Sequence, residues 1–279
     1  MKLLLVAILI SLANGCAGNA NAQVPAAMEA DDIPSVTIKG NKSAQVWAYR
    51  TMETGLDVFE GKRDALAPGS SLRFVVRNDR PGAFPTGAAV KVIGEQTDIS
   101  IPVAADGGFV MVRSASAHRD KADVALAVGD VVAIGKKPAS ASNYPLPEVR
   151  SPNLPAGAWR LGDLRLQCSI RLAMCEDTLS LLQLAGFKAL SLGRDLCGHA
   201  IKVNGNITFR TPAPFDSATL IDGERRLLTH VGKQQRVYRA PVHDDSWSND
   251  TLIQFQFSPT PQPQAIDSPR APAQTTDAI

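Results

Sequence analysis

Short runs rich in β-branched and apolar residues recur through the first half of the chain, at residues 45–49, 72–77, 89–93, 99–103, 109–113 and 131–134. Turn signals separate them, among them Pro68-Gly69, Pro81-Gly82 and Asp106-Gly107-Gly108. Most runs alternate in polarity or are short and wholly apolar. Only residues 122–128 carry a helical period, and a weak one. Strands at short, regular spacing predict a β-sandwich-like domain over residues 34–137.

The second half opens on another alternation. Leu164, Leu166, Cys168 and Ile170 interleave with Arg165, Gln167 and Ser169, which predicts a strand with one inward face. Glu176 and Asp177 then suit the positive end of a helix. Leu179, Leu182, Gly186 and Leu190 define its buried stripe and Gly193 stops it, so a helix is expected over about 177–192. Four strands are expected after it, at 201–209, 218–221 running through Asp222-Gly223 into 226–231, 236–240 and 251–257. These make a C-terminal β domain over 159–258.

Between the halves, residues 138–158 hold five prolines and read as an extended Pro-rich linker. Residues 23–33 read as a flexible arm, and the Pro-rich residues 259–279 as a disordered tail. The expected fold class is therefore mainly β: all-β with one notable helix in the C-terminal half, built as two β-sandwich-like modules joined by the linker. Strand, Gly-Glu turn, strand, Pro-Val-x-x-Asp and aromatic strand occur in that order twice, around Gly94 and Gly223, which suggests two modules of related build. The Asp-Gly-Gly-Phe hairpin ending at Phe109 is ordinary turn chemistry and identifies no family.

The N-terminus changes the picture most. Lys2 precedes an apolar run from Leu3 to Leu12, and the stretch closes on Ala20-Asn21-Ala22. Residues 1–22 thus read as a secretory signal peptide, too short to span a bilayer. The rival reading is a lipoprotein signal with lipidation at Cys16. Both readings put the protein outside the cytoplasm, in the bacterial periplasm, secreted, or membrane-anchored through Cys16, where disulfides persist. No second apolar run of transmembrane length follows. A formal net charge of +2 gives no support for nucleic-acid binding.

Three cysteines lie beyond the leader, and the pairing expected is Cys168 with Cys197, leaving Cys175 free. A helix running from residue 177 would hold Cys175 away from Cys197, whereas the lead from Cys168 is long enough to reach. The four histidines lack metal-ligand spacing, and neither a Gly-x-Ser-x-Gly elbow nor a phosphate-binding loop is present. The densest polar cluster is His243, Asp244, Asp245, Ser246, Ser248, Asn249 and Asp250. Alternating oxygens there suggest a polar or metal-binding loop at His243, Asp244, Asp245 and Asp250. Against that, Asn249 and Phe255 occupy positions where a calcium loop wants Gly and an acid, so the loop also reads as a turn with Trp247 packed inward. Arg225 and Arg226 with Arg236 and Arg239 would form a basic strip.

The sequence thus implies an exported, non-catalytic β protein without metal or cofactor, binding an envelope protein or polymer. The alternative is an exported hydrolase using His243, Asp244 and Asp245, with or without the assistance of a metal.

Overall fold

The computed structural model describes residues 46–76, 84–128, 131–132, 145–191, 197 and 208–258. Strand outweighs helix, and the strands form several antiparallel sheets. One sheet runs β1 (Val46–Ala48), β6 (Asp123–Val128), β3 (Ala88–Ile93), β4 (Asp98–Pro102), with β7 (Val131–Val132) also on β6. A second has β2 (Ser71–Val75) between β5 (Gly108–Phe109) and β8 (Leu146–Arg150). The third runs β11 (Arg225–Arg239), β10 (Thr208–Asp222), β12 (Leu252–Phe257), β9 (Ala158–Arg160). Helices are α1 (Tyr49–Leu66), the short α2 (Ala115–Arg119), α3 (Leu161–Asp177) and α4 (Leu181–Ser191).

Two expectations are corrected by the helices. Residues 164–170 are not a strand but the middle of α3, and the expected helix at 177–192 shortens to α4. The alternation that suggested a strand comes from a helix buried on two sides. Leu161, Leu164 and Cys168 join the cluster of Trp159, Phe215, Leu220, Ile253 and Phe255, while Leu166, Ile170 and Met174 join that of Trp47, Phe74, Val90 and Val149. Residues two apart on a helix point about 200° apart, so a helix between two cores also shows apolar residues at every second position. The second correction is α1, a helix the pattern reading passed over. Tyr49, Met52 and Phe59 form its buried stripe at helical spacing, diluted by charge at Arg50, Glu53, Asp57, Glu60 and Lys62. Residues 122–128, weakly helical by period, are strand β6.

Parts of the proline-rich stretch are sheet. Leu146–Arg150 pairs with β2 from Ser71↔Arg150 to Val75↔Leu146, and Val149 is fully buried. The two strand sets that resembled a repeat are placed differently. β2 and β3 lie in separate sheets, whereas residues 208–210 and 220–222 lie along the single strand β10.

Helices α1 and α3 pack antiparallel. At one end the Thr51 hydroxyl donates to Asp177 at 2.7 Å and Arg50 pairs with the same carboxylate. Asp177 closes α3, where its charge opposes the dipole, but the start of α1 and Arg50 compensate it. In the middle Gly55 lies against Ile170 and Met174. At the far end the Leu66 carbonyl oxygen would sit 2.0 Å from a Cβ at position 162, and Gly162 N–H donates to Asn249 O at 2.9 Å. Only glycine fits that approach. By contrast α4 begins on a bare apolar surface, with Leu181 87% and Leu182 84% exposed. No described helix is long and apolar enough to cross a membrane.

Cys168 and Cys197 form a disulfide, with Cα atoms 5.8 Å apart. It closes a loop of separation 29, which constrains the unfolded chain by roughly 3–4 kcal/mol. The pairing matches the expectation, though Cys168 sits on a helix rather than a strand. Cys175 is not free: it too is disulfide-bonded. The expectation of a free thiol rested on counting three cysteines beyond the leader and pairing two of them. Cys16 and the arm and tail lie outside the described residues.

Gly162→Ala should destabilise the protein by about 3 kcal/mol, because a backbone carbonyl cannot yield as a side chain can. Gly61→Ala, on α1 with open space around it, should instead stabilise by about 0.5–1 kcal/mol through helix propensity. Urea denaturation of both variants checks the pair.

Candidate functional site

The polar loop at residues 243–250 is built by residues far from it in sequence. Arg165 on α3 donates Nε–H to Val242 O at 2.9 Å, Nη1 to Asn249 Oδ1 at 2.6 Å, and Nη2 to the Asp244 and Trp247 carbonyls at 2.8 and 3.0 Å. Burial pushes the Arg165 guanidinium down from its ordinary range, opposed by Asp245 and Asp244. From the other side, Asp222 at the β10–β11 turn accepts Ser248 N–H, Ser248 Oγ–H and Thr251 Oγ–H. The Ser248 amide, followed by these hydroxyls, holds the Asp222 carboxyl below the usual range. Arg225 lies 3.6 Å over the buried Trp247 ring and donates to Ser246 O. Cation and ring face attract, so the tryptophan is clamped from above.

Each acid put forward from sequence has a place in this frame. Asp244 Oδ1 accepts Ser246 N–H at 3.0 Å, an Asx turn, and Ser246 holds its carboxyl below the usual range. Asp250 pairs with Arg160. Asp245 is exposed, His243 half-buried. The loop does not gather these side chains round one point: among the described residues no three His, Cys, Asp or Glu side chains are placed to hold a metal ion. What the arrangement does chemically is join α3, the β10–β11 turn and β12, and Asn249 Nδ2–H reaches Ala65 O to bring in the end of α1. Sequence reading passed over Arg165 and Asp222 because their partners lie 77–84 and 26–29 residues away. Trp247 packed inward was legible.

A second polar knot lies under the β8–β9 connection. Asp163 is fully buried, and accepts Ser151 N–H at 2.8 Å and Ser151 Oγ–H at 2.7 Å. Burial raises its carboxyl above the ordinary range, against the pull of Ser151, Arg160 and Arg150. Elsewhere, His118 Nδ1 bonds Glu53, and Tyr49 hydroxyl joins Val112 O and Ser114 N–H. A hollow of about 310 Å³ follows the β3–β4 turn from Lys91 to Asp98; the neighbouring Asp120 already accepts Gln96 N–H and Thr97 Oγ–H.

The surface with unsatisfied chemistry is the β10–β11 hairpin. Of the expected basic strip, Arg225 is committed to Trp247, while Arg226, Arg236 and Arg239 are exposed along β11. Register adds Arg210, which faces Val237 across the ladder, two residues from Arg239. Among the described residues these four arginines make no ion pair. Exposed apolar residues lie between them: Leu227 48%, Leu228 55%, Val237 46%.

Arg165→Lys should cost about 2–3 kcal/mol, since one ammonium cannot reach the four oxygens and leaves loop carbonyls unpaired. Thermal unfolding measures it. For Asp163 the raised carboxyl means the folded state holds its proton more tightly than the unfolded state. That stability is fully present below about pH 4 and is lost as pH rises through the folded value. Asp163→Asn removes the slope, so the stability difference, variant minus parent, should grow from pH 4 to pH 7 in urea titrations. A flat difference would contradict it.

No family model, curated protein or solved structure matches the chain.

Proposed function

We propose that this is an exported, non-catalytic β protein that binds another component of the cell envelope through the β10–β11 hairpin. One observation carries the reading. Two strands of 15 residues, far longer than the usual five or six, present arginines without an ion pair among the described residues, interleaved with exposed leucine and valine. Fully extended, each would reach roughly 50 Å. The hairpin's buried side, Phe209, Phe215, Leu220 and Tyr238, supplies the core, so its length is only partly accounted for by folding.

Export rests on the leader. The Cys168–Cys197 disulfide is compatible with it, since such bonds persist in oxidising compartments. The non-catalytic reading is supported by the employment of Asp222, Asp244 and Asp250 in turn and ion-pair geometry. Two β-sandwich-like modules, over residues 34–137 and 159–258, remain part of this proposal.

The test is in-cell photocrosslinking of a tagged full-length chain carrying the crosslinker at Leu228 or Val237, with Gly61 on α1 as reference. Discrete adducts in the envelope fraction from the hairpin positions, and none from Gly61, are expected. Equal labelling at all three positions, or a chain that stays in the cytoplasm, would overturn the reading.

A further inference from the structure

Among the described residues β11 ends its sheet and pairs only with β10. A terminal strand presents a row of N–H and C=O groups to which another chain can add. Proteins usually blunt such an edge with proline, shortness or charge. β11 runs 15 residues and has no proline. It does have charge, all of one sign where its side chains are described: Arg225, Arg226, Arg236 and Arg239.

Register sorts these residues by face. Leu220 is buried and pairs with Leu227, so the neighbouring pairs Ile221↔Arg226 and Thr219↔Leu228 belong to the outer face. At the open end Phe209 and Tyr238 are both buried and paired, which puts Arg210↔Val237 and Thr208↔Arg239 outside. The outer side of β11 therefore offers Arg226 and Leu228 near the turn, Val237 and Arg239 near the open end, with Arg210 beside the latter. Register shifts fall between these two ends and leave each as a short regular ladder.

We infer that β11 accepts an extended, acidic segment of a partner protein as an added strand. This rests on the binding reading above and deepens it. Charge selects the occupant. A second copy of β11 would set arginine against arginine, which disfavours self-pairing. An incoming strand with Asp or Glu at alternate positions sets them all on one face, where they meet Arg226 and Arg239, with Arg210 one strand further in; its apolar residues fall on the other face beside Leu227, which pairs with buried Leu220 yet is 48% exposed. Main-chain bonds supply affinity that does not depend on sequence, and the arginine–leucine pattern supplies selection.

Fluorescence anisotropy of the purified full chain tests it with a labelled 12-residue peptide of alternating glutamate and valine. The control peptide has the same glutamates but a proline at every third position, so it keeps charge and cannot form a ladder. The variants are Arg226→Glu with Arg210→Glu and Arg239→Glu, and separately Val237→Pro, each checked by circular dichroism for the parent fold. The expected result is saturable binding of the alternating peptide, at least tenfold weaker for the proline peptide and for the charge-reversed variant. Val237→Pro, if folded, should weaken it similarly without any change of charge. Equal binding of both peptides would mean a general polyanion surface and overturn strand addition. No binding of the alternating peptide would also overturn it. If envelope crosslinks from Leu228 persist in that case, the binding reading stands and strand addition alone falls; if they vanish too, both fall.

Discussion

Helix α3 is the constraint on which the rest depends. It is buried on opposite sides, so each of its turns has to satisfy two cores at once. Leu161, Leu164 and Cys168 fill the sheet of β9–β12, while Leu166, Ile170 and Met174 fill the space under α1 and β8. Fully burying a leucine, isoleucine or methionine contributes about 1.5–3 kcal/mol, and five of them on one helix hold both clusters to the same axis. The polar residues between them are equally committed. Asp163 takes Ser151, Arg165 takes the 242–249 loop, Gln167 takes Val149 N–H, Arg171 takes Thr208 O and Asp177 takes Thr51. A helix so placed leaves little surface for chemistry.

The candidate site follows from that economy of surface. The loop that looked most like a catalytic or metal-binding cluster is where α3, the β10–β11 turn, β12 and the end of α1 are fastened together. Its carboxylates face backbone N–H groups and hydroxyls, which hold Asp222 and Asp244 ionised and in place. Fastening the base of the hairpin in this way has a consequence further out. Clamped by Arg225 on Trp247 and by Asp222 on Ser248, the turn end of β10–β11 is anchored, and the exposed side chains beyond it are carried on an ordered ladder. Order paid in advance favours binding of an extended partner.

Much of the local structure could be read before any coordinates. β1, β2, β3 and β4 fall within a residue or two of the expected runs, because each alternates against a single core and turn residues bound it. The disulfide was legible as well, though by an argument about reach that treated Cys168 as part of a strand. Trp247 as an inward anchor was visible from its small polar neighbours. What misled was the period. Leu164 to Ile170 alternate for a helical reason, and α1 hides a stripe of Tyr49, Met52 and Phe59 among nine charged and polar positions.

By itself, then, the sequence determined a mainly β chain, the positions of β1 to β4 and β12, the Cys168–Cys197 pair and the residues that could form a basic strip. Those properties are local or set by chain length, and hydrophobic period, turn chemistry and cysteine spacing encode them directly. Tertiary structure alone decided that residues 161–177 are a helix, that Gly162 must be glycine, that Arg165 builds a loop some 80 residues away, and that Arg210 stands beside Arg239. Each of these depends on which surface lies opposite. A residue's neighbours across a sheet or a helix crossing are chosen by register and packing, and no window of the sequence contains both partners.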